Sequence, residues 1–361
     1  MAVQKVSIET YTQNAEDQIT IDVRSPLEFE HAHIPGAYSL PLFNNEQRAI
    51  VGTTYKKQSR ENAIKIALPM FGDKMLEMVN QVETWVKNYQ ENHEGKKPSI
   101  LVHCWRGGMR SAAVAWLLDL YGFKVTQLIG GYKAYRNWII AHFEKQYELK
   151  IVGGYTGSGK TEILHALKLK GEHIIDLEGL ANHKGSSFGA IGQATQPSQE
   201  MFENLLGLAL SKLSSSQKCI WIEDESQRIG SVMVPTPFFK LMRESICYFV
   251  NIPFEKRLQF IVKQYGGFEK ADLIGATERI QKRLGGLETK NTIQLLETGD
   301  IQAAFGILLK YYDKWYEKFT QPEANQAFPK LAVIKWEAAD VKDKENAELL
   351  LALNESILCN S

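Results

Sequence analysis

A cysteine, two arginines and a pair of glycines come together in residues 103–111, HCWRGGMRS. The apolar run Ile100-Leu101-Val102 leads into them, and the helix-forming stretch SAAVAWLLDLY follows from Ser111. A strand that turns into a helix aims successive backbone N–H groups at one spot, where the positive end of the helix dipole also lies. That arrangement is an anion cradle. Gly107 and Gly108 permit the backbone angles it needs, Arg110 sets a planar cation at its rim, and Arg106 offers a second. Such surroundings favour the thiolate of Cys104, which is the nucleophilic form. The chemistry implied is attack on, or carriage of, a group attached to an oxyanion. Free cysteine also packs like a small hydrophobe, but a core thiol has no use for two arginines and a double glycine. Cys219 and Cys247, inside apolar runs, do read as core, and Cys359 lies in the tail.

Residues 154–161, GYTGSGKT, follow the apolar KIV and precede EILHALK, and they fit the pattern G-x-x-x-x-G-K-[ST]. In that setting the backbone of Gly154, Gly157, Ser158 and Gly159 wraps a diphosphate. Lys160 neutralises its outer charge, and Thr161 ligates Mg²⁺. Downstream, IWIEDES (220–226) ends an apolar strand on acids, so that Asp224, or Glu223, stands where a carboxylate organises the metal. What the diphosphate is attached to stays open: a nucleoside, as in ATP or GTP, or something else.

Both loops need strands to carry them. In the first half, strands are expected at 19–25 and within PSILVHCW and KVTQLIGGY, with helices at 75–89, 111–121 and 133–147. The second half offers strands at 173–177, 218–224, 246–252 and 331–336, after the one that enters the glycine loop. Its clearest helices are 199–213 and 301–319. Alternation of this kind predicts α/β architecture with parallel sheets. A length of 361 residues suits two domains, placed at 1–145 and 146–361, docked without a flexible linker.

Composition narrows the partners. Lys+Arg and Asp+Glu both number 42, so bulk charge does not advertise nucleic acid and any phosphate-binding surface must be local. Residues 254–290 carry eight basic and five acidic side chains, and Lys282 and Arg283 make them a candidate RNA surface. A solvated helix face fits the same pattern. The four cysteines form no CxxC pair, so neither a disulfide framework nor a zinc site is indicated. His103 reads as a core histidine, and HAH (31–33) lacks a ligand cluster. With no signal peptide and no membrane-length apolar stretch, the cytoplasm is expected.

DVRSPLEFEHAHIPGA (22–37), the Cys104 loop and LIGGYKAYR (128–136) together resemble a rhodanese domain, which carries sulfur or selenium on its loop cysteine. Five residues separate Cys104 from Arg110, where common rhodaneses have four. The longer loop is similar to that of the related phosphatases and implies a wider pocket that accepts a phosphate-bearing donor. With DLEGLANHKGSSFG (176–189), QPSQEMFENLL (196–206) and WIEDESQRIG (221–230), the whole chain resembles the tRNA 2-selenouridine synthase family.

That resemblance implies a rhodanese-like domain followed by a P-loop NTPase-like α/β domain. It implies conversion of 2-thiouridine to 2-selenouridine at position 34 of the tRNAs for lysine, glutamate and glutamine. Selenophosphate is the implied donor, with S-geranylation by geranyl diphosphate on the way. Cys104 would carry selenium, Arg106, Gly107, Gly108 and Arg110 would hold the donor's phosphate, and residues 154–161 would grip a diphosphate. Beyond Mg²⁺, no tightly bound cofactor and no membrane are implied. Two other readings of the same residues stand beside it. One is a sulfurtransferase or phosphatase fused to an NTP-dependent small-molecule kinase. The other is a nucleotide-gated RNA-binding module in which Cys104 is structural.

Overall fold

Runs of isoleucine, valine and leucine become parallel strands here because each such strand is covered on both faces and needs apolar side chains on both. In the computed structural model, residues 3–213, 218–320 and 332–358 are described. Cys359 and Leu331, the first residue of the last expected strand, lie outside the described residues. The chain divides into two units, Met1–His142 and Phe143–Ser361.

The first unit holds β1 (Gln4–Val6), β2 (Gln18–Asp22), β3 (Tyr38–Ser39), β4 (Ser99–His103) and β5 (Val125–Leu128). They form one sheet in the order β1-β5-β4-β2-β3, and every pairing is parallel. Its helices are α1 (Ile8–Gln13), α2 (Pro26–His31), α3 (Asn45–Lys57), α4 (Arg60–Gly72), α5 (Met75–Asn92), α6 (Met109–Tyr121) and α7 (Gly131–His142). β2 stops three residues short of the expected end. Arg24 turns back onto Asp22, with Nη2 2.6 Å from Oδ2, and Pro26 opens α2. α7 ends at His142, not at 147, and the first unit ends with it.

The second unit is built on β6 (Leu149–Gly154), β7 (His173–Ile175), β8 (Ile220–Glu223), the short hairpin β9 (Arg228–Ile229) and β10 (Val232–Met233), β11 (Ile246–Asn251) and β12 (Val333–Glu337). Its sheet, in the order β12-β11-β6-β8-β7, is parallel throughout. Around it run α8 (Lys160–Leu169), α9 (Leu177–Ala181), α10 (Gln199–Leu213), α11 (Thr236–Arg243), α12 (Phe254–Tyr265), α13 (Lys270–Arg279), α14 (Gln281–Leu284), α15 (Gly286–Thr298), α16 (Ile301–Thr320) and α17 (Asp343–Leu358). One core lies among the sheet, α8 and α17, where Trp221 and Tyr248 are fully covered. A second is made by α12, α13, α15 and α16 closing on Phe188.

In both sheets the strand that delivers a chemical loop, β4 or β6, is interior, with neighbours on both sides. Open parallel sheets bind ligands beyond the carboxyl ends of such strands, where connections leave in opposite directions. The cysteine loop follows β4, and the glycine loop follows β6.

Candidate active site

β4 is anchored by Ile100, Leu101 and Val102, all fully buried, and its last residue, His103, is buried as well. The chain then bends sharply at Gly107, where φ is +62°. A Cβ on Gly107 would run into the Leu128 carbonyl, and one on Gly131 into the Cys104 carbonyl. The two glycine turns therefore interlock. Amides of Tyr132 and Lys133 brace the loop by donating to the carbonyls of Cys104 and Trp105, each at 2.9 Å. From β5, the Gln127 amide reaches the carbonyls of Gly107 and Gly108 and, at 2.7 Å, the Ser111 hydroxyl.

With the loop so held, the backbone N–H groups of Trp105 through Ser111 donate to no protein acceptor among the described residues. They include the first-turn amides of α6, whose N-cap Gly108 brings no side chain to satisfy them. Cys104 is only 4% exposed, so its sulfur lies at the floor of the site and not at the rim. Its Sγ is 3.2 Å from Ser111 Oγ. Above it opens a depression of about 690 Å³, bounded on one side by the loop and on the other by α3. Arg48, Lys56, Arg106 and Arg110 line it, and no carboxylate does so among the described residues. Trp105, on the loop, and Tyr55, on α3, stand exposed on its two sides.

Arg110 is not a free cation. Its Nη1 donates to Glu28 Oε2 at 2.6 Å and its Nη2 to Oε1 at 3.3 Å, and Arg48 approaches the same carboxylate at 3.5 Å. Glu28 also accepts from the Ser25 amide, in the capping box that starts α2. Burial alone would push the Glu28 carboxyl up, but Arg110, the Ser25 amide and Arg48 outweigh it and hold it at about 2. Glu28→Gln is therefore expected to lower stability by about 1–2 kcal/mol at neutral pH, the worth of a charged hydrogen bond after solvent screening. A depressed carboxyl gives its stability in full above its unfolded value and loses it as the pH falls through the folded one. Chemical denaturation should thus find a constant gap between the two proteins from pH 5 upward, closing as the pH drops toward 2.

In the second unit, the glycine loop leaves β6 with Gly157 and Gly159 at φ of +79° and +73°, angles that only glycine takes readily. Gly154 is pressed against Ser158 and Val250, leaving no room for a Cβ. Ser158 is buried, and its hydroxyl has no partner among the described residues. Lys160 Nζ lies 3.2 Å from the Gly154 carbonyl and 5.6 Å from the centre of the Tyr316 ring. Burial opposes its charge, but Tyr316, Glu225, Glu178 and Asp224 outweigh that and raise its pKa above the usual lysine value.

Thr161 donates to Glu178 Oε2 at 2.9 Å, and the Glu178 amide donates to Glu223 Oε1 at 2.8 Å. Burial raises the carboxyl of Glu178, and burial followed by the Glu178 charge pushes Glu225 up to about 8. Asp224, one of the two acids expected beside the metal, instead accepts from Arg243 at 2.6 Å. Glu223 is fully buried. The acid at Thr161 is Glu178, at the start of α9 just beyond β7, whereas the sequence pointed to the acids at the end of β8. These hard oxygen donors fit Mg²⁺, which is commonly held by one or two carboxylates together with substrate phosphate oxygens. No three His, Cys, Asp or Glu side chains among the described residues are arranged to hold a metal by themselves.

Beside Lys160 and Thr161 a cavity of about 260 Å³ begins, and its character changes along α16. Tyr316, Tyr312, Leu308 with Leu309, and Phe305 fall three or four residues apart, on one face of that helix. Eleven residues at 1.5 Å each place Phe305 roughly 16 Å along the axis from Tyr316. At that apolar end the rings of Phe188 and Tyr265 lie 5.6 and 5.7 Å from Phe305. The cavity is thus polar where it meets the glycine loop and aromatic where it meets the helical core. Lys282 and Arg283, exposed on α14, line neither the cavity nor the depression.

A family model described as the tRNA 2-selenouridine synthase AAA domain matches residues 147–335, and one described as a rhodanese-like domain matches residues 8–137. A tRNA 2-selenouridine synthase from Hydrogenovibrio crunogenus is 34% identical over 330 residues, 82% of this chain and 88% of its own. The chain belongs to the tRNA 2-selenouridine synthase family. Within that family, the synthase from Sulfurovum sp. is 34% identical over 82% of this chain and 83% of its own, and that from Nitrosomonas europaea is 37% identical over 69% and 64%. The family's two parts correspond to the α/β units seen here, a rhodanese domain followed by a P-loop domain. No helix among the described residues is long and apolar enough to cross a membrane.

Proposed function

We propose that this chain is a transferase that converts 2-thiouridine at the wobble position of tRNA to 2-selenouridine. Selenophosphate supplies the selenium, handled at Cys104, and geranyl diphosphate activates the sulfur by S-geranylation. The tRNAs are those for lysine, glutamate and glutamine. Relatives named tRNA 2-selenouridine synthase support the overall reaction. The structural observation that carries the finer reading is the cavity that starts at Lys160 and ends among Phe305, Phe188 and Tyr265. A diphosphate with a ten-carbon apolar tail matches both of its ends.

The chemistry follows from leaving groups. Sulfur at C2 of a thiouracil departs poorly, whereas an alkylated sulfur departs as a thiolate. The C2 sulfur attacks C1 of the geranyl group, the C–O bond breaks, the N3 proton of the base passes to solvent, and diphosphate leaves. Its growing charge is met by Lys160 and by the glycine-loop amides. Mg²⁺ beside Thr161 supplies further positive charge when bound. A selenium nucleophile then displaces the geranyl thiolate from C2.

An anticodon-loop base swings out of its stack at small cost. Beside Cys104 it meets Trp105 and Tyr55, whose exposed rings suit base stacking, while Lys56 and Arg106 suit the flanking phosphates. Lys282 and Arg283 add a phosphate-binding surface on α14.

Nucleoside mass spectrometry of tRNA bearing 2-thiouridine, incubated with the protein, geranyl diphosphate and selenophosphate, tests this. The geranylated nucleoside should rise first and decay into 2-selenouridine. Selenouridine formed at full rate without geranyl diphosphate would remove the prenyl step. Consumption of ATP or GTP with no change in the tRNA would favour the kinase reading.

A further inference from the structure

We infer that, within the function just proposed and dependent on it, Cys104 is a phosphoryl acceptor that cleaves the P–Se bond of selenophosphate, giving S-phosphocysteine and free hydroselenide. The thiolate attacks phosphorus, an S–P bond forms, the P–Se bond breaks, and its electron pair leaves on selenium as HSe⁻. Water then attacks phosphorus, the S–P bond breaks, and dihydrogen phosphate departs with the thiolate restored. Phosphorus stays at P(V) and selenium at Se(−II) in both steps. Hydroselenide, already a nucleophile, displaces the geranyl thiolate at C2. Carriage of selenium as an S–Se bond would instead expel phosphorus as phosphite. Releasing selenium from that bond after attack at C2 would then call for two electrons from a reductant.

Three features of the depression fit attack at phosphorus. The unpartnered amides from Trp105 to Ser111 and the Arg110 donors left over by Glu28 suit the three oxygens of a phosphoryl group, not a lone selenium atom. No carboxylate or histidine, the usual general acids for an alkoxide leaving group, lines the depression among the described residues. Hydroselenide, a stable anion at neutral pH, needs no such acid. The depression therefore suits a selenophosphate better than a phosphate ester.

The third feature is Ser111. Its hydroxyl lies between the Gly108 carbonyl, at 3.1 Å, and Cys104 Sγ, at 3.2 Å, while Gln127 donates to it. Because Gln127 fills one lone pair, the hydroxyl proton is free to turn from Gly108 to the sulfur. It does so when charge returns to Sγ as the S–P bond breaks. Ser111 thus serves the second step more than the first.

The test uses the full chain and selenophosphate labelled with radioactive phosphorus or radioactive selenium, without tRNA, under rapid quench with peptide mass spectrometry. Phosphorus is expected on Cys104, selenium in solution and orthophosphate as the final product. In Ser111→Ala, phosphocysteine should accumulate and phosphate release should slow at least about tenfold, with Ser111→Thr restoring it. Selenium retained on Cys104, or phosphite as product, would overturn the inference; the function proposed above would stand if the same protein still selenates tRNA. Absence of both labels from Cys104, in wild type and in Ser111→Ala alike, would overturn it too.

Discussion

Cys104→Ser should abolish selenation of tRNA, lowering its rate by more than about 10³-fold, the scale on which loss of a covalent nucleophile is felt. Geranylation of the same tRNA should proceed. The substitution is nearly isosteric and keeps the Ser111 partner, so the loop and its braces from Tyr132 and Lys133 should persist. What changes is acidity. A serine hydroxyl is not ionised near neutral pH, and no carboxylate or histidine lines the depression among the described residues to activate it. Labelled selenophosphate, nucleoside analysis and an unfolding curve on one preparation separate a chemical defect from a folding one. Cys104 packs among Val102 and Val114, so an unfolding midpoint close to wild type is needed before the loss is read as chemical. If selenation survived within tenfold of wild type, the thiol would be structural and the role given to Cys104 would fall.

The two chemical loops were legible because each is written in contiguous residues. A strand, a turn with glycine where φ is positive, and a helix start all fall within nine positions at 103–111 and again near 154–161. The parallel sheets were legible for the same local reason. Residues that act across the fold were not. Glu28 fixes Arg110 from 82 positions away, and only the pattern S-P-L-E, a capping box, marks it at all. Gln127 holds three atoms of the cysteine loop from a neighbouring strand, yet in sequence it is one polar residue in KVTQL. Charge at the end of β8 pointed to Asp224, but the tertiary fold brings Arg243 to it and Glu178 to Thr161. The apolar cavity was hidden most thoroughly. On α16 the residues that line it keep the same three-and-four spacing as those that pack, and periodicity cannot tell a wall from a core.

Lys160→Ala should slow geranyl transfer by about 10²–10³-fold, the usual effect of removing one donor that meets charge in the transition state. Release of selenium at Cys104, in the other unit, should be unchanged. The ammonium is held in its charged form by Tyr316, Glu225, Glu178 and Asp224 despite burial, so it costs no rearrangement when diphosphate begins to leave. Arginine should not rescue it, because a forked guanidinium cannot take the place of a compact ammonium 3.2 Å from the Gly154 carbonyl. Removing the cation also deprives Glu178 and Glu225 of the charge that lowers their pKa values, so both hold protons more tightly. Glu178 then becomes a weaker partner for Mg²⁺, and extra magnesium should recover part of the lost rate. Single-turnover geranylation across a magnesium series, run beside labelled selenophosphate cleavage, checks both halves. Parallel loss of the two activities would mean that Lys160 supports the fold as a whole. Loss of geranylation alone ties the glycine loop to the prenyl diphosphate, since that step is the one in which a diphosphate leaves.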